Sequence, residues 1–268
     1  MKFTCWFIAA LSFLVTPSLY ADGERTAGML SLATPFQIPD ESFNVRGLRL
    51  NLLYGSAESV HGLDLGLLNF TRDSSKGMGF GFLNYTRGEV DGIQLGFVNL
   101  AARGFDGLQV GVACVALASS SGVQFGFYNA CADFRGLAVA FMNDADAIRG
   151  MQLGLLNSAR TVSRLQVGLA NHVRGDSPDA VRVGLLNLGT RVGTSGLDIG
   201  VANMTMDAAE SRWAVGGFNL SSFREGEGTQ IGIVNFTMSA RSLQIGLFNV
   251  RHTEREGLLL RPFVGFPR

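Results

Sequence analysis

Apolar residues alternate with polar or small residues in short runs that return about every fifteen positions along the chain. In the run at 62–69, GLDLGLLN, the residues Leu63, Leu65 and Leu67 occupy alternate places. A period of two is that of a β-strand with one buried face. Charged residues gather between the runs, as is typical of turns. The pattern predicts one short strand and one polar return per repeat, with Leu63, Leu65 and Leu67 facing the core.

An Asn closes almost every run, and a Gly precedes it by three positions. Tyr54 and Cys114 stand where Asn is expected, while Asn51 and Ala140 stand where Gly is expected. A recurrence of this kind indicates a tandem-repeat architecture of about fourteen units. The Asn positions are Asn69, Asn84, Asn99, Asn129, Asn143, Asn157, Asn171, Asn187, Asn203, Asn219, Asn235 and Asn249.

A parallel β-solenoid of about fourteen coils, each of 14–16 residues, accounts for this pattern, because stacked coils place equivalent side chains in columns. A buried Asn column can satisfy its amides internally, so we expect an internal Asn ladder. The Gly that opens each run, such as Gly62, predicts a corner. Val60 precedes Leu63 by an odd offset, and a bend at that corner would bring both side chains inward.

The alternative fold is an antiparallel up-and-down β-barrel in a membrane, with the leucine row facing lipid and the recurring glutamines facing a polar lumen. Against it, each apolar row has only three residues before the Asn, whereas a tilted membrane strand needs about nine to eleven residues. The solenoid is favoured, and the barrel is kept as the second candidate.

Four segments follow from the pattern. Residues 1–21 resemble a signal peptide, because Lys2 precedes an apolar stretch and Ala21 ends a plausible cleavage site. The tandem array occupies 45–250. Residues 22–44 and 251–268 are interpreted as N-terminal and C-terminal caps, which the open ends of a solenoid need.

The charge balance argues against nucleic acid as a partner. The chain has 22 basic and 22 acidic residues, and phosphate binding requires clustered Lys and Arg. We expect no cofactor and no metal, because His61, His172 and His252 occupy inequivalent repeat positions and no phosphate-binding loop is present.

Catalysis is not expected either. Asp64 and Asp198 take the place where Gln predominates, but they lie far apart in the array and are unaccompanied, so they predict no acid/base pair. Cys114 and Cys131 lie two residues out of register in adjacent units, which favours two buried thiols over a disulfide, with pairing left open.

The candidate interaction site is a stripe in which a Gln column runs beside a Gly column. On the predicted strand both columns point away from the leucine row, and repeated strand-interior Gly calls for a compensating close approach. An unknown protein, a glycan or a second copy could dock there. The alternative interpretation is that the Gly residues merely relieve crowding in the stack. The stripe comprises Gln94, Gly96, Gln109, Gly111, Gln124, Gly126, Gln152, Gly154, Gln166 and Gly168.

The run VRGLRLNLLYG at 45–55, followed by GLDLGLLN, GIQLGFVN, MQLGLLN and LQIGLFN, resembles a bacterial surface-repeat family of exported proteins with tandem GLQxGxxN units. The likeness extends over about 45–250 and implies an exported protein at the cell surface or envelope. It supplies no catalytic residues. We therefore expect an exported, non-enzymatic structural or adhesive scaffold, with solute passage through an outer-membrane barrel as the alternative. Membrane contact is expected only for that barrel.

Overall fold

The computed structural model describes residues 24–175, 180–190, 196–206, 212–222, 227–254 and 257–267. The predicted signal peptide at 1–21 lies outside these ranges. The fourteen strands are β1 (Arg25–Ala33), β2 (Phe36–Ile38), β3 (Asn44–Ala57), β4 (Ser59–Thr71), β5 (Ser75–Thr86), β6 (Glu89–Ala101), β7 (Gly104–Ala116), β8 (Ser120–Val173), β9 (Ala180–Thr190), β10 (Gly196–Met206), β11 (Arg212–Ser221), β12 (Gly228–Thr237), β13 (Ser242–Thr253) and β14 (Gly257–Gly265).

The chain is a parallel β-solenoid of about fourteen turns, as the repeat predicted. Successive strands from β3 to β13 pair in parallel and nearly in sequence order. Asn69 of β4 lies opposite Asn84 of β5, and Asn203 of β10 lies opposite Asn219 of β11. β8 is 54 residues long because it continues through several coils without interruption. The antiparallel barrel alternative is wrong, and solute passage through its lumen depended on it.

The two ends of the sheet differ from the array. At the N-terminal end, β1 pairs in parallel with β3, and the short β2 folds back antiparallel to β1. At the C-terminal end, β14 runs antiparallel to β13. Gln37 of β2 donates from Nε2 to the Ser56 carbonyl at 2.8 Å, which ties this turn to the first coil.

The predicted direction of the leucine row is wrong. In β4 the side chains of Asp64 and Asn69 are buried, whereas Leu63 and Leu65 are half-buried and Leu67 is 47% exposed. Strand alternation defines two faces but does not decide which is inside. The amide side chains of the Asp64 and Asn69 columns take the interior places that the prediction gave to leucine.

The buried positions also reveal a bend. Asp64 and Asn69 both point inward although they are five positions apart, an odd separation that a straight strand would place on opposite faces. The chain therefore turns near Gly66 and Leu67. Val60 is buried and Leu63 is not, so the expectation that they share the interior is also wrong.

The glycines that open each run have the backbone predicted for them. Gly62 has φ +144°, and a Cβ there would lie 2.1 Å from the carbonyl oxygen of Gly47 in the preceding coil. Only glycine fits such an approach without displacing the neighbouring backbone. Positive φ also occurs at Gly47, Gly77, Gly92, Gly107, Gly122 and Gly136.

Apolar side chains do occupy part of the interior, next to the polar returns. Most of them belong to two columns, one of larger residues such as Phe105 and Phe134 and one of smaller residues such as Ala101 and Ala116. The larger cluster contains Val90, Ala101, Phe105, Ala116, Cys131, Phe134, Ala138, Ala145, Ile148, Ala159, Val162, Val173 and Ala180. The interior is therefore mixed, with polar columns behind the apolar exterior and apolar columns behind the polar exterior.

Candidate functional site

The predicted interaction stripe does not lie on the surface. Gln94, Gln109, Gln124, Gln152 and Gln166 have exposed fractions of 2% or less. They point into the solenoid and cannot contact a partner. The outward orientation expected for this column is therefore wrong.

The Gly column of that stripe sits where adjacent coils approach most closely. A Cβ on Gly154 would lie 2.2 Å from the Ala140 carbonyl oxygen and 2.8 Å from the Asn143 amide nitrogen. The backbone contact accounts for these glycines without a docking partner, as the crowding explanation held. The same carbonyl or Asn contacts recur at Gly96, Gly111, Gly126 and Gly168.

The Asn column forms the expected internal ladder. Where an Asn follows in the next coil, from Asn69 to Asn235, the amide nitrogen donates to its amide oxygen and to a backbone carbonyl of that coil. Asn157, for example, donates to Asn171 Oδ1 at 2.9 Å and to the Val167 carbonyl at 2.8 Å, and it accepts from Asn143 at 2.9 Å. Each central amide is thereby fixed along the solenoid axis.

The N-terminal end of the ladder departs from the predicted register. Gly55, not Tyr54, lies opposite Asn69, because the pairing of β3 and β4 shifts after Asn51. The Asn51 side chain fills the vacant place and donates from Nδ2 to Asn69 Oδ1 at 2.8 Å. Asn51 is therefore a member of the ladder and not merely an exception in the Gly column.

Cys114 interrupts the ladder. Asn99 Nδ2 and the Cys114 sulfur are 3.8 Å apart, and the thiol lies 3.8 Å from the Phe125 carbonyl oxygen. A thiol is a weak donor, and in this structure Asn129 Oδ1 has no hydrogen-bond partner. The ladder is thus divided into two segments at a single residue.

The buried glutamines form a second, shorter ladder with the opposite polarity. Gln109 Nε2 donates to Gln94 Oε1 at 2.8 Å, and Gln124 Nε2 donates to Gln109 Oε1 at 3.0 Å. These donors point toward the N-terminal coil, whereas the Asn donors point toward the C-terminal coil. The side-chain amide dipoles of the two columns therefore oppose each other along the axis.

Two buried ion pairs occupy the same column as the glutamines. Arg49 and Asp64 make a bidentate contact with nitrogen–oxygen distances of 2.8 and 2.5 Å. The expectation that Asp64 is unaccompanied and outward is wrong, because both partners are buried. Arg49 was missed by sequence reasoning, although a basic residue one repeat before an acidic one was a usable signal.

The second ion pair is a triad. Asp198 accepts hydrogen bonds from Arg182 at 2.6 Å and from Arg212 at 2.8 Å. Burial by itself would raise the pKa of Asp198, but the charges and hydrogen bonds of the two guanidinium groups outweigh it and leave that pKa lowered. Asp198 is therefore a structural anion held between two coils, and it too points inward.

Cys114 and Cys131 are free and buried, which agrees with the favoured prediction. Burial raises the pKa of the Cys114 thiol and of the Cys131 thiol to about 11 in each case. Thiols in this state are weak nucleophiles at neutral pH.

The histidines lie far from one another. Burial, with the nearby charges of Arg46 and Lys76, lowers the pKa of His61. In the described ranges no group of three or more His, Cys, Asp or Glu could hold a metal ion.

The residues on the exterior divide sharply by polarity. We define the apolar strip as the four columns that contain Leu63, Leu65, Leu67 and Leu68. Between the coil of Leu63 and that of Phe248 these columns hold no charged residue. Hydroxyl groups occur in them at Tyr128 and Thr229, and a charged residue first appears in the next column, that of Phe70, at Asp144.

The column of Leu67 is the most exposed part of the strip, and we call it the crest column. Its side chains are between 39% and 58% exposed, and Phe82 stacks on Phe97 with ring centroids 4.8 Å apart. The crest column comprises Leu67, Phe82, Phe97, Val112, Phe127, Phe141, Leu155, Leu169, Leu185, Val201, Gly217, Ile233 and Leu247.

Charged side chains lie on the remaining side of the coil. A shallow groove of about 460 Å³ lies there, lined in part by Lys76, Asp91, Arg103, Asp106 and Arg135. Arg149 pairs with Asp133 at 2.9 Å nearby. Both signs alternate in this region, so it presents no coherent field to an ionic ligand.

A search of the described residues for an apolar helix of bilayer-spanning length found none. Comparisons with protein-family models, curated proteins and solved structures found no match to this chain. The class is defined by the fold itself: a parallel β-solenoid with hydrogen-bonded amide ladders inside and an apolar strip outside.

Proposed function

We propose that this chain is an exported, non-catalytic scaffold whose apolar strip lies against a hydrophobic partner in the bacterial envelope. The exposed crest column is the observation that carries the proposal. Soluble monomeric proteins rarely leave contiguous apolar patches of more than a few hundred Å² uncovered, and larger patches mark interaction sites. This strip continues through successive coils from Leu63 to Phe248.

The interior supports a scaffold role. Each ladder amide bonds to the coil beyond it, as Asn187 does to Asn203 at 2.8 Å, so successive coils are held at fixed spacing. Such a column leaves little freedom for the coils to move relative to one another. An extended surface of stacked coils is suited to presenting a long contact and not to enclosing a small substrate.

The proposed location rests on the sequence. The segment at 1–21 has the composition of a signal peptide, and the repeat resembles the bacterial surface-repeat family. We propose membership of that family on the tandem GLQxGxxN units. The ionisable groups of the interior are buried ion pairs and protonated thiols, and neither kind of group is suited to act as a nucleophile or an acid/base pair. This favours a structural role.

The proposal is tested in cells that express the full sequence. Mass spectrometry of the product should find a mature chain that begins at Asp22. A crest variant with Phe82, Phe97, Phe127 and Phe141 each replaced by Ser should leave the envelope fraction and appear in the released fraction. The matched control replaces Lys76, Asp91, Asp106 and Arg135 by Ser, which leaves the net charge unchanged, and should remain in the envelope. An uncleaved product, or a crest variant retained like the wild type, would overturn the proposal.

A further inference from the structure

The apolar strip is convex. Its columns through Leu63 and Leu65 lie before the bend at Gly66, and its column through Leu68 lies after it, with Leu67 at the turn. The strip therefore covers two faces of the solenoid that meet along the crest column. At about 4.8 Å per coil, the crest extends for roughly 60 Å.

The strip is bounded on both sides by polar residues. On one side, beyond the corner at Gly62, the next outward column holds His61, Lys76, Asp91 and Asp106. On the other side the coil passes into the charged returns, such as that of Arg72 and Asp73. The described solenoid therefore has an apolar side and a charged side along its length, as an amphipathic helix at a membrane surface has on a smaller scale.

The strip lacks the features of a protein interface. Interfaces between proteins carry about one hydrogen bond per 100–200 Å². Among the strip positions from the coil of Leu63 to that of Phe248, only Tyr128, Trp213 and Thr229 have a side chain that can form a hydrogen bond through a hydroxyl or indole N–H group. There is also no charge on the strip for a partner of opposite charge to match.

Shape argues against a second copy as the cover. A standard interface buries about 800 Å² on each partner, which one face of the strip could supply. Two convex ridges, however, meet along one face only, and the other face of each copy would stay in water. Acyl chains are fluid and can cover both faces of a ridge at once.

On these grounds we infer that the apolar strip inserts into the surface of a lipid bilayer, with the crest column deepest and the charged returns in water. This inference rests on the scaffold function proposed above and names its partner. Amphipathic elements at membrane surfaces bury their apolar side about 5–10 Å deep, which matches the reach of Phe and Leu side chains from the coil.

Charge makes no contribution to this binding. The chain has a formal net charge of +0, and the strip itself is uncharged. Association should therefore occur with zwitterionic lipid and should not weaken as salt is raised, unlike the binding of basic segments to anionic membranes.

The test is flotation of the purified chain, expressed from the full sequence, with phosphatidylcholine vesicles in a density gradient. The wild-type chain should float with the vesicles equally at about 0.1 M and about 1 M salt, where the Debye length is about 10 Å and about 3 Å. The crest variant F82S/F97S/F127S/F141S should lose at least about a hundredfold in partition coefficient, because four half-exposed aromatic side chains are removed. The control variant K76S/D91S/D106S/R135S should float like the wild type.

The competing occupant is detected in the same samples. Sedimentation of the vesicle-free chain reports its oligomeric state, and circular dichroism confirms that both variants retain the strand spectrum. Dimers that depend on the crest residues, together with no flotation of the wild type, would overturn the bilayer assignment in favour of a second copy. That result would leave export and envelope retention in cells untouched, so failure of this inference is distinguishable from failure of the proposed function. Equal flotation of the crest variant and the wild type would also overturn it.

Discussion

Cys114 and Asn129 occupy successive places in one buried column, and the thiol leaves the amide oxygen of Asn129 without a donor. From Asn129 to Asn249, all successive pairs in the column are joined by a hydrogen bond of 2.8–3.1 Å. The missing hydrogen bond is a local defect in the ladder, and a substitution at Cys114 could restore it.

Replacement of Cys114 by Asn should stabilise the fold. The new amide can accept from Asn99 and donate to Asn129 Oδ1, which removes the cost of a buried acceptor without a partner. The expected gain is about 1–2 kcal/mol in the free energy of unfolding, measured by urea denaturation. Cys131→Ala, which removes a thiol between Ala116 and Ala145 without touching the ladder, serves as the control. A lower unfolding midpoint for C114N would contradict the ladder account.

Removal of a central rung should have the opposite effect. Asn157→Ala takes away one acceptor and two donated bonds, and it leaves polar atoms of Asn143, Asn171 and Val167 buried without this partner. We expect a loss of about 2–5 kcal/mol. Leu155→Ala, two residues earlier on the exterior, should cost less than about 1.5 kcal/mol because that side chain is already 39% exposed. Similar losses in the free energy of unfolding for the two variants would show that the amide column does not hold the coils together.

Asp198→Asn should strongly destabilise the chain at neutral pH. The guanidinium groups of Arg182 and Arg212 would then be buried without their anion, at a cost of about 3–5 kcal/mol. The measurement is the unfolding midpoint of D198N against that of the wild type.

The stability difference between the wild type and D198N should depend on pH. The folded-state pKa of Asp198 lies below its ordinary value of 3.8, so its contribution is complete above that pH and is lost as the pH falls through the lowered pKa. The stability gap between the wild type and D198N should therefore be constant from pH 7 to about 5 and narrow below about 3.8. A gap that widens on acidification would mean that the sign of the shift is wrong.

Arg164 has φ +128°, in the corner column where the other coils place Gly62, Gly77 and Gly92. A side chain is strained in this backbone region, so Arg164→Gly should raise the free energy of unfolding by about 1 kcal/mol. Arg160→Gly is the matched control, since Arg160 has no positive φ, and it should lower stability by about 0.5–1 kcal/mol. Thermal unfolding of the two variants side by side checks the prediction. A fall in melting temperature for R164G would refute the strain.

The repeat was sufficient to predict the coil length, the parallel stacking, the Asn ladder and the permissive backbone of glycines such as Gly62. It was not sufficient to predict which face is inside. Leu63 and Asp64 alternate in either arrangement, and the usual preference for buried leucine chose the wrong one. The deciding fact is the five-residue separation of Asp64 and Asn69, which reveals a bend if both are known to be buried.

The candidate site was misplaced for the same reason. Once the leucine row is assigned to the interior, the Gln column is assigned to the surface, and both errors share one cause. The pairing of Arg49 with Asp64 was readable from their fifteen-residue spacing, but only after the solenoid register had been accepted. The triad of Arg182, Asp198 and Arg212 required, in addition, the knowledge that Arg212 reaches inward from a corner position.

Hydrogen exchange of the glutamine side chains is the most direct test of the polar interior. Every Gln in the chain except Gln37 belongs to the buried column, so labelling glutamine side-chain nitrogen alone reports on that column by NMR. After transfer to deuterated water, the side-chain amide protons of Gln109, Gln124 and Gln166 should persist far longer than those of an exposed amide, because they are buried and bonded between coils. Exchange of all glutamine side chains at the rate of free glutamine would place this column in solvent and contradict the account.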